Sequence, residues 1–193
     1  MRAMTGKDIA KFLEANIEPL DDAIYGPRYR ASAQLVDGTD LPCVVFQSKR
    51  RLVDLALRRF TELRNELNQY RDVVGAFAAS GGTVDVYNLK RVNTSPYAWP
   101  VSMLKTIHGE TTMGWTAFVV EMKDSRCFSY GTPFSFEFLD LPNGYSFLDI
   151  KCIYSGAVYA KDEGLQPFSI SRAQGISCLR ERPFFTCYLE EIE

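Results

Sequence analysis

The chain carries one histidine, His108, in 193 residues. Every mechanism or metal site that needs two imidazoles is thereby excluded. Cysteine is sparse and odd in number: Cys43, Cys127, Cys152, Cys178 and Cys187 are scattered, and none is spaced from another as metal ligands are. That argues against a disulfide framework and against a zinc cluster, and leaves small, buried apolar residues. Neither sign of charge dominates, with 22 Lys plus Arg against 24 Asp plus Glu. No global field therefore draws the chain to nucleic acid or to an anionic membrane. No apolar run approaches the roughly 18 residues of a membrane span. The opening Met1-Arg2-Ala3-Met4-Thr5 has no apolar leader, so the expected compartment is a reducing cytoplasm. A glycine-rich phosphate loop, internal repeats and low-complexity tracts are all missing, and no cofactor or metal is expected.

What is present fits a folded globular protein. Hydrophobic residues make up 46% and charged residues 24%, enough apolar surface to bury a substantial core. The length suits one domain over 1–193, with an N-terminal helix, a hairpin and a long helix in 1–82 and a β-rich remainder in 83–193.

Thr5 followed by Asp8 forms a capping-box signature, and Ile9, Phe12, Leu13 and Ile17 recur on one helical face until Pro19. Tyr29, Ala31, Ala33 and Leu35 alternate with Arg30, Ser32 and Gln34, and Asp37-Gly38 then turns the chain into the apolar run 43–46. This predicts a hairpin. Over 49–79, Val53, Ala56, Phe60, Leu63, Leu67, Tyr70, Val74 and Phe77 recur at alternating spacings of three and four, predicting one long amphipathic helix with Phe60, Leu63 and Leu67 in the core. Such a seam could pair as a coiled coil, but Leu52, Leu55, Leu57 and Val73 widen the stripe, which suits a helix buried against a sheet. Strands are expected at 83–89, 115–122, 127–130, 134–138 and 148–154, the last two joined by a hairpin turn at Asn143-Gly144, with about three more in 168–192. Short links imply antiparallel neighbours. The fold class is α+β: a mostly antiparallel twisted sheet with the long helix packed across it and a short helix at the N-terminus.

Four groups of residues could carry function. Ser48 caps the long helix, yet Lys49, Arg50 and Arg51 follow, where the macrodipole disfavours cations. Free N–H groups beside three cations suit an anionic ligand such as a phosphorylated molecule; the alternative is neutralisation by Asp54, Asp37 and Asp40. Residues 91–114 are the least regular stretch, and Tyr97, Trp99 and Trp115 in and beside it are amphipathic aromatics that could anchor a partner or pin the loop to the core. His108 is expected in the last turn of a short helix between Pro100 and Gly109, as a C-terminal cation or as a catalytic base. Glu121 shares a strand face with Trp115, Ala117 and Val119; burial there would raise its pKa and suit acid–base work, whereas a strand-end position would leave it wet.

The reading these features support is a non-catalytic cytoplasmic module that binds a protein partner, an adaptor, inhibitor or immunity-type binder. The alternatives are an enzyme using His108 or Glu121 in a cleft beside 91–114, and a binder of a phosphorylated ligand or nucleic acid at the basic helix start. A concave pocket with converging polar groups would favour the enzyme, a flat apolar patch the protein binder, and an open basic ridge the third reading.

Overall fold

The computed structural model describes residues 3–23, 25–62, 82–108, 115–132, 136–160, 162–169 and 181–192. Along the chain run α1 (Gly6–Asn16), β1 (Leu20–Asp22), β2 (Gly26–Leu35), β3 (Asp40–Ser48), α2 (Lys49–Glu62), a 3₁₀ turn (Val86–Asn88), β4 (Leu89–Thr94), α3 (Val101–Leu104), β5 (Thr116–Met122), β6 (Cys127–Thr132), a second 3₁₀ turn (Phe147–Asp149), β7 (Ile150–Ser155), β8 (Ala157–Ala160), β9 (Gly164–Pro167) and β10 (Phe185–Leu189). The class is α+β, rich in antiparallel strands. Two compact units form: Met1–Pro96 with Phe184–Glu193, and Tyr97–Pro183.

In the first unit α1 starts as its sequence dictates. The Thr5 hydroxyl accepts the Asp8 N–H at 3.2 Å, and the Asp8 carboxylate accepts the Thr5 N–H at 3.1 Å, satisfying two donors that a helix start leaves open. The Asp37-Gly38 turn joins β2 to β3 as expected; Gly38 sits at φ +94°, a conformation open to glycine without a Cβ penalty. β2 pairs antiparallel with β3, and along its other side with β1 and β4. Beyond β3 lies β10, and that pair is parallel, from Phe185 opposite Val44 to Leu189 opposite Ser48. Ile9 and Leu13 of α1 pack with Ala31, Val44, Phe46, Leu89, Cys187 and Leu189 in one buried cluster.

Among the described residues the helix whose side chains join this cluster is α1; the sequence pointed to the helix over 49–79. Of that longer helix the structure describes Lys49–Glu62. Its buried residues include Leu52 and Leu55, while Val53 is 43% exposed and Leu57 59% exposed. Of the expected stripe, Leu52 and Leu55 are therefore inside, while Val53 and Leu57 are not. The Phe60 side chain, Leu63, Leu67 and the rest of the seam to residue 79 lie outside the described residues. The strand expected at 83–89 is reduced to a single bridge between Thr83 and Thr186. Asp85 then accepts the Tyr87 N–H at 3.0 Å and caps a 3₁₀ turn, so pairing resumes only in β4, inside the stretch expected to be irregular.

In the second unit β5 is central, antiparallel to both β6 and β7. Ala117, Phe118, Val119 and Val120 are all fully buried, which is why this strand reads as a continuous apolar run rather than an alternating one. Phe118 stacks on its cross-strand partner Tyr130, with centroids 4.9 Å apart. The strand expected at 134–138 is absent over the described 136–138; a lone bridge joins Leu139 to Glu181. The Asn143-Gly144 turn forms, with Tyr145 N–H on Pro142 O at 3.2 Å. It leads into a 3₁₀ turn capped by Ser146 and Asp149 rather than into a hairpin, and Leu148 is left 81% exposed. Of the strands expected in 168–192, β10 is described; residues 170–180, which include Cys178, lie outside the described set.

Candidate functional site

The three aromatics singled out for partner contact all lie in the second unit. Trp99 is 1% exposed. Its ring meets Phe118, Tyr130 and Phe147 edge-on at 6.2, 5.3 and 5.9 Å, and its Nε1–H donates to Leu139 O at 3.0 Å. It offers no surface to a partner, a correction to its expected role. Tyr97, half-buried, holds the same segment: its carbonyl accepts the Leu139 N–H at 3.0 Å, and the Arg182 guanidinium lies 3.9 Å above its ring, a cation–π contact. That guanidinium also binds Asp140 at 2.7 Å. Half-buried Trp115 lies against Gly131, where a Cβ would come within 2.5 Å of the ring. Trp99 and Tyr97 are thus engaged in ring contacts and hydrogen bonds within their unit.

Glu121 sits between two cross-strand cysteines, Cys127 on β6 and Cys152 on β7. Its carboxylate accepts Lys151 Nζ and Tyr154 OH, each at 2.6 Å. The hydrogen bond from Lys151, then that from Tyr154, holds its pKa below the usual value, the reverse of the rise expected for a buried acid. The same contact pushes the Tyr154 phenol up to about 12. A carboxylate kept ionised by two donors makes a poor proton shuttle at neutral pH. Burial, chiefly, raises the Cys127 thiol, and burial raises that of Cys187 to about 12, so neither is an activated nucleophile.

His108 lies four residues past the end of α3 with its side chain exposed. The expected capping of a helix end by its ring is therefore absent. What fixes this residue is its backbone: the Ser155 hydroxyl accepts its N–H at 3.0 Å and donates to its carbonyl at 2.8 Å.

At the start of α2, Ser48 caps as expected, its hydroxyl accepting the Arg51 N–H at 3.3 Å. Arg50 and Arg51 are exposed. Lys49 is not neutralised by the nearby aspartates: its ammonium binds Glu190 at 2.8 Å, which raises the pKa of Lys49 and lowers that of Glu190. One of the three candidate anion-binding cations thus already faces a carboxylate of the same chain.

That ion pair borders a cleft of about 380 Å³ in the first unit, whose walls include Gly6, Lys49, residues 83–87 and residues 188–191. Asp85, Glu190 and Glu191 supply three carboxylates against one ammonium, and Tyr87 on its rim is 85% exposed. The Glu191 carboxylate lies at the first residue of α1, within 2.7 Å of where a Gly6 Cβ would stand, so the positive end of the helix dipole meets an acid. Of these groups the sequence marked only Lys49. The acidic run at 190–193 reads locally as solvated surface, and nothing in it signals that it returns to Lys49. Among the described residues no three His, Cys, Asp or Glu converge as metal ligands, and no helix is long and apolar enough to cross a membrane. No family model, curated protein or solved structure matches the chain.

Proposed function

We propose that the chain is a non-catalytic, cytoplasmic protein-interaction module of the adaptor, inhibitor or immunity type, and that it meets its partner at the cleft of the first unit rather than at Tyr97, Trp99 and Trp115. The observation that carries this reading is the cleft itself with Tyr87 on its rim: a large aromatic left 85% exposed beside a concavity is the kind of anchor that protein interfaces bury. The polar groups around it are engaged structurally, Asp85 in a cap and Lys49 with Glu190. That favours recognition over acid–base chemistry. The saturated carboxylate of Glu121 and the exposed ring of His108 give the enzyme reading no comparable support.

A photo-crosslinking amino acid at Tyr87, expressed in the source cells, should yield a discrete protein adduct. The same group at Tyr159, 41% exposed in the second unit, serves as the control and should not yield it. Equal labelling from both positions, or none from Tyr87, refutes the reading.

A further inference from the structure

β10 ends the strand order of the five-stranded sheet, and among the described residues its outer side is paired over only part of its length. Thr186 donates its N–H to Gly82 O at 2.8 Å and accepts the Val84 N–H at 2.9 Å. Both bonds point away from β3. In a strand, alternate residues send N–H and C=O to the same side, so Tyr188 presents its pair on that same outer edge. Its partners there would be residues 84 and 86. At that point, however, Asp85 caps the Val86–Asn88 turn and takes the chain away toward β4. Among the described residues no backbone group meets Tyr188 on that side. The space left by the departing chain is the cleft, walled by 83–87 and 188–191.

We propose that this cleft receives an extended, basic peptide segment, which adds a strand to β10 through the main chain of Tyr188 and sets cationic side chains against Asp85 and Glu191. Strand addition draws affinity from main-chain bonds, while flanking side chains select the ligand. An open edge is a standing template for such pairing. The charge selects the occupant: three carboxylates face one ammonium, and that ammonium is already held by Glu190. This inference rests on the interaction-module reading and narrows it to a partner chemistry.

The test uses the full chain and a fluorescent capped hexapeptide of alternating valine and lysine, followed by polarisation and by amide chemical shifts. Three probes accompany it: the same peptide with alternate amides N-methylated, a valine–glutamate counterpart, and the Glu191→Gln protein. Saturable binding is expected, with shifts at residues 83–87 and 188–190. N-methylation or exchange of lysine for glutamate should each weaken binding by about tenfold or more, the weight of one or two lost bonds or ion contacts. Glu191→Gln should weaken it severalfold. Because N-methylation alters only the peptide, this arm does not depend on any variant folding. Equal affinity for the methylated peptide, equal affinity for the glutamate peptide, or shifts confined to other surfaces overturns the proposal. Absence of peptide binding alongside a persistent Tyr87 adduct also overturns it, while leaving the module reading intact. Peptide binding without the adduct has the opposite consequence.

Discussion

Replacing Trp99 with alanine should remove a large part of the stability of the second unit. The indole is 1% exposed, and truncating a buried Trp or Phe costs about 3–5 kcal/mol. Its three edge-on ring contacts, the nearest at 5.3 Å to Tyr130, put the site at the upper end of that range, since each such pair adds about 0.5–1.5 kcal/mol beyond area burial. The Leu139 carbonyl, which accepts the indole N–H at 3.0 Å, would lose its donor, at about 1–3 kcal/mol if water cannot reach it. These terms overlap, and a total of about 4–6 kcal/mol is expected against a stability of about 5–15 for an ordinary domain. Trp99→Phe keeps most of the packing and should lose about 1–3 kcal/mol, separating the hydrogen bond from the ring. Urea titration followed by far-UV circular dichroism is the assay, because removing one of two tryptophans confounds fluorescence. A loss below about 1 kcal/mol for the alanine variant would refute the burial argument and return Trp99 to the surface.

In the first unit, Leu13→Ala should cost about 2–5 kcal/mol, because Leu13 is fully buried in the cluster under the sheet. Leu57→Ala, at a position 59% exposed, should stay within about 0.5 kcal/mol; denaturant titration giving the reverse order would mean that α2, not α1, organises that core. Glu121 and Tyr154 predict opposite pH limbs. The carboxyl titrates below its ordinary 4.5 in the fold, so its contribution is complete above that pH and is lost as pH falls through the folded value. The phenol is raised from 10.0 to about 12, so its contribution is complete below pH 10 and fades as pH climbs toward 12. Stability measured against pH should show a flatter acid limb in Glu121→Gln, and the advantage of the natural protein over Tyr154→Phe should shrink above pH 10. Parallel curves for protein and variants would remove the pair from the stability of the second unit.

The elements legible in the sequence are those whose signal is complete within a few residues. Thr5 with Asp8, Asp37 with Gly38, and Ser48 with Arg51 each satisfy a backbone donor or a turn angle locally, so residue type alone decides them. The apolar run 117–120 announces a buried strand for the same reason. Other features depend on partners far along the chain. The parallel pairing of β3 with β10 joins residues some 140 positions apart, and no local pattern distinguishes it from an antiparallel neighbour. The 3₁₀ turn at Val86–Asn88 replaces a strand that propensity favours, because Asp85 captures the Tyr87 N–H instead. Trp99 in an irregular stretch has one local signature whether bare or buried; Phe118, Tyr130 and Phe147, brought to it by β5, β6 and the second 3₁₀ turn, make the choice. The cleft is the furthest from the sequence, since it exists where one segment leaves the edge of β10 while α1, α2 and the residues after Leu189 converge around the gap. Composition and periodicity set which residues seek burial and where helices and turns begin. Which strand edge lacks a partner among the described residues, and which charges face it, are properties of contacts between segments distant in the chain, and only the tertiary structure decides them.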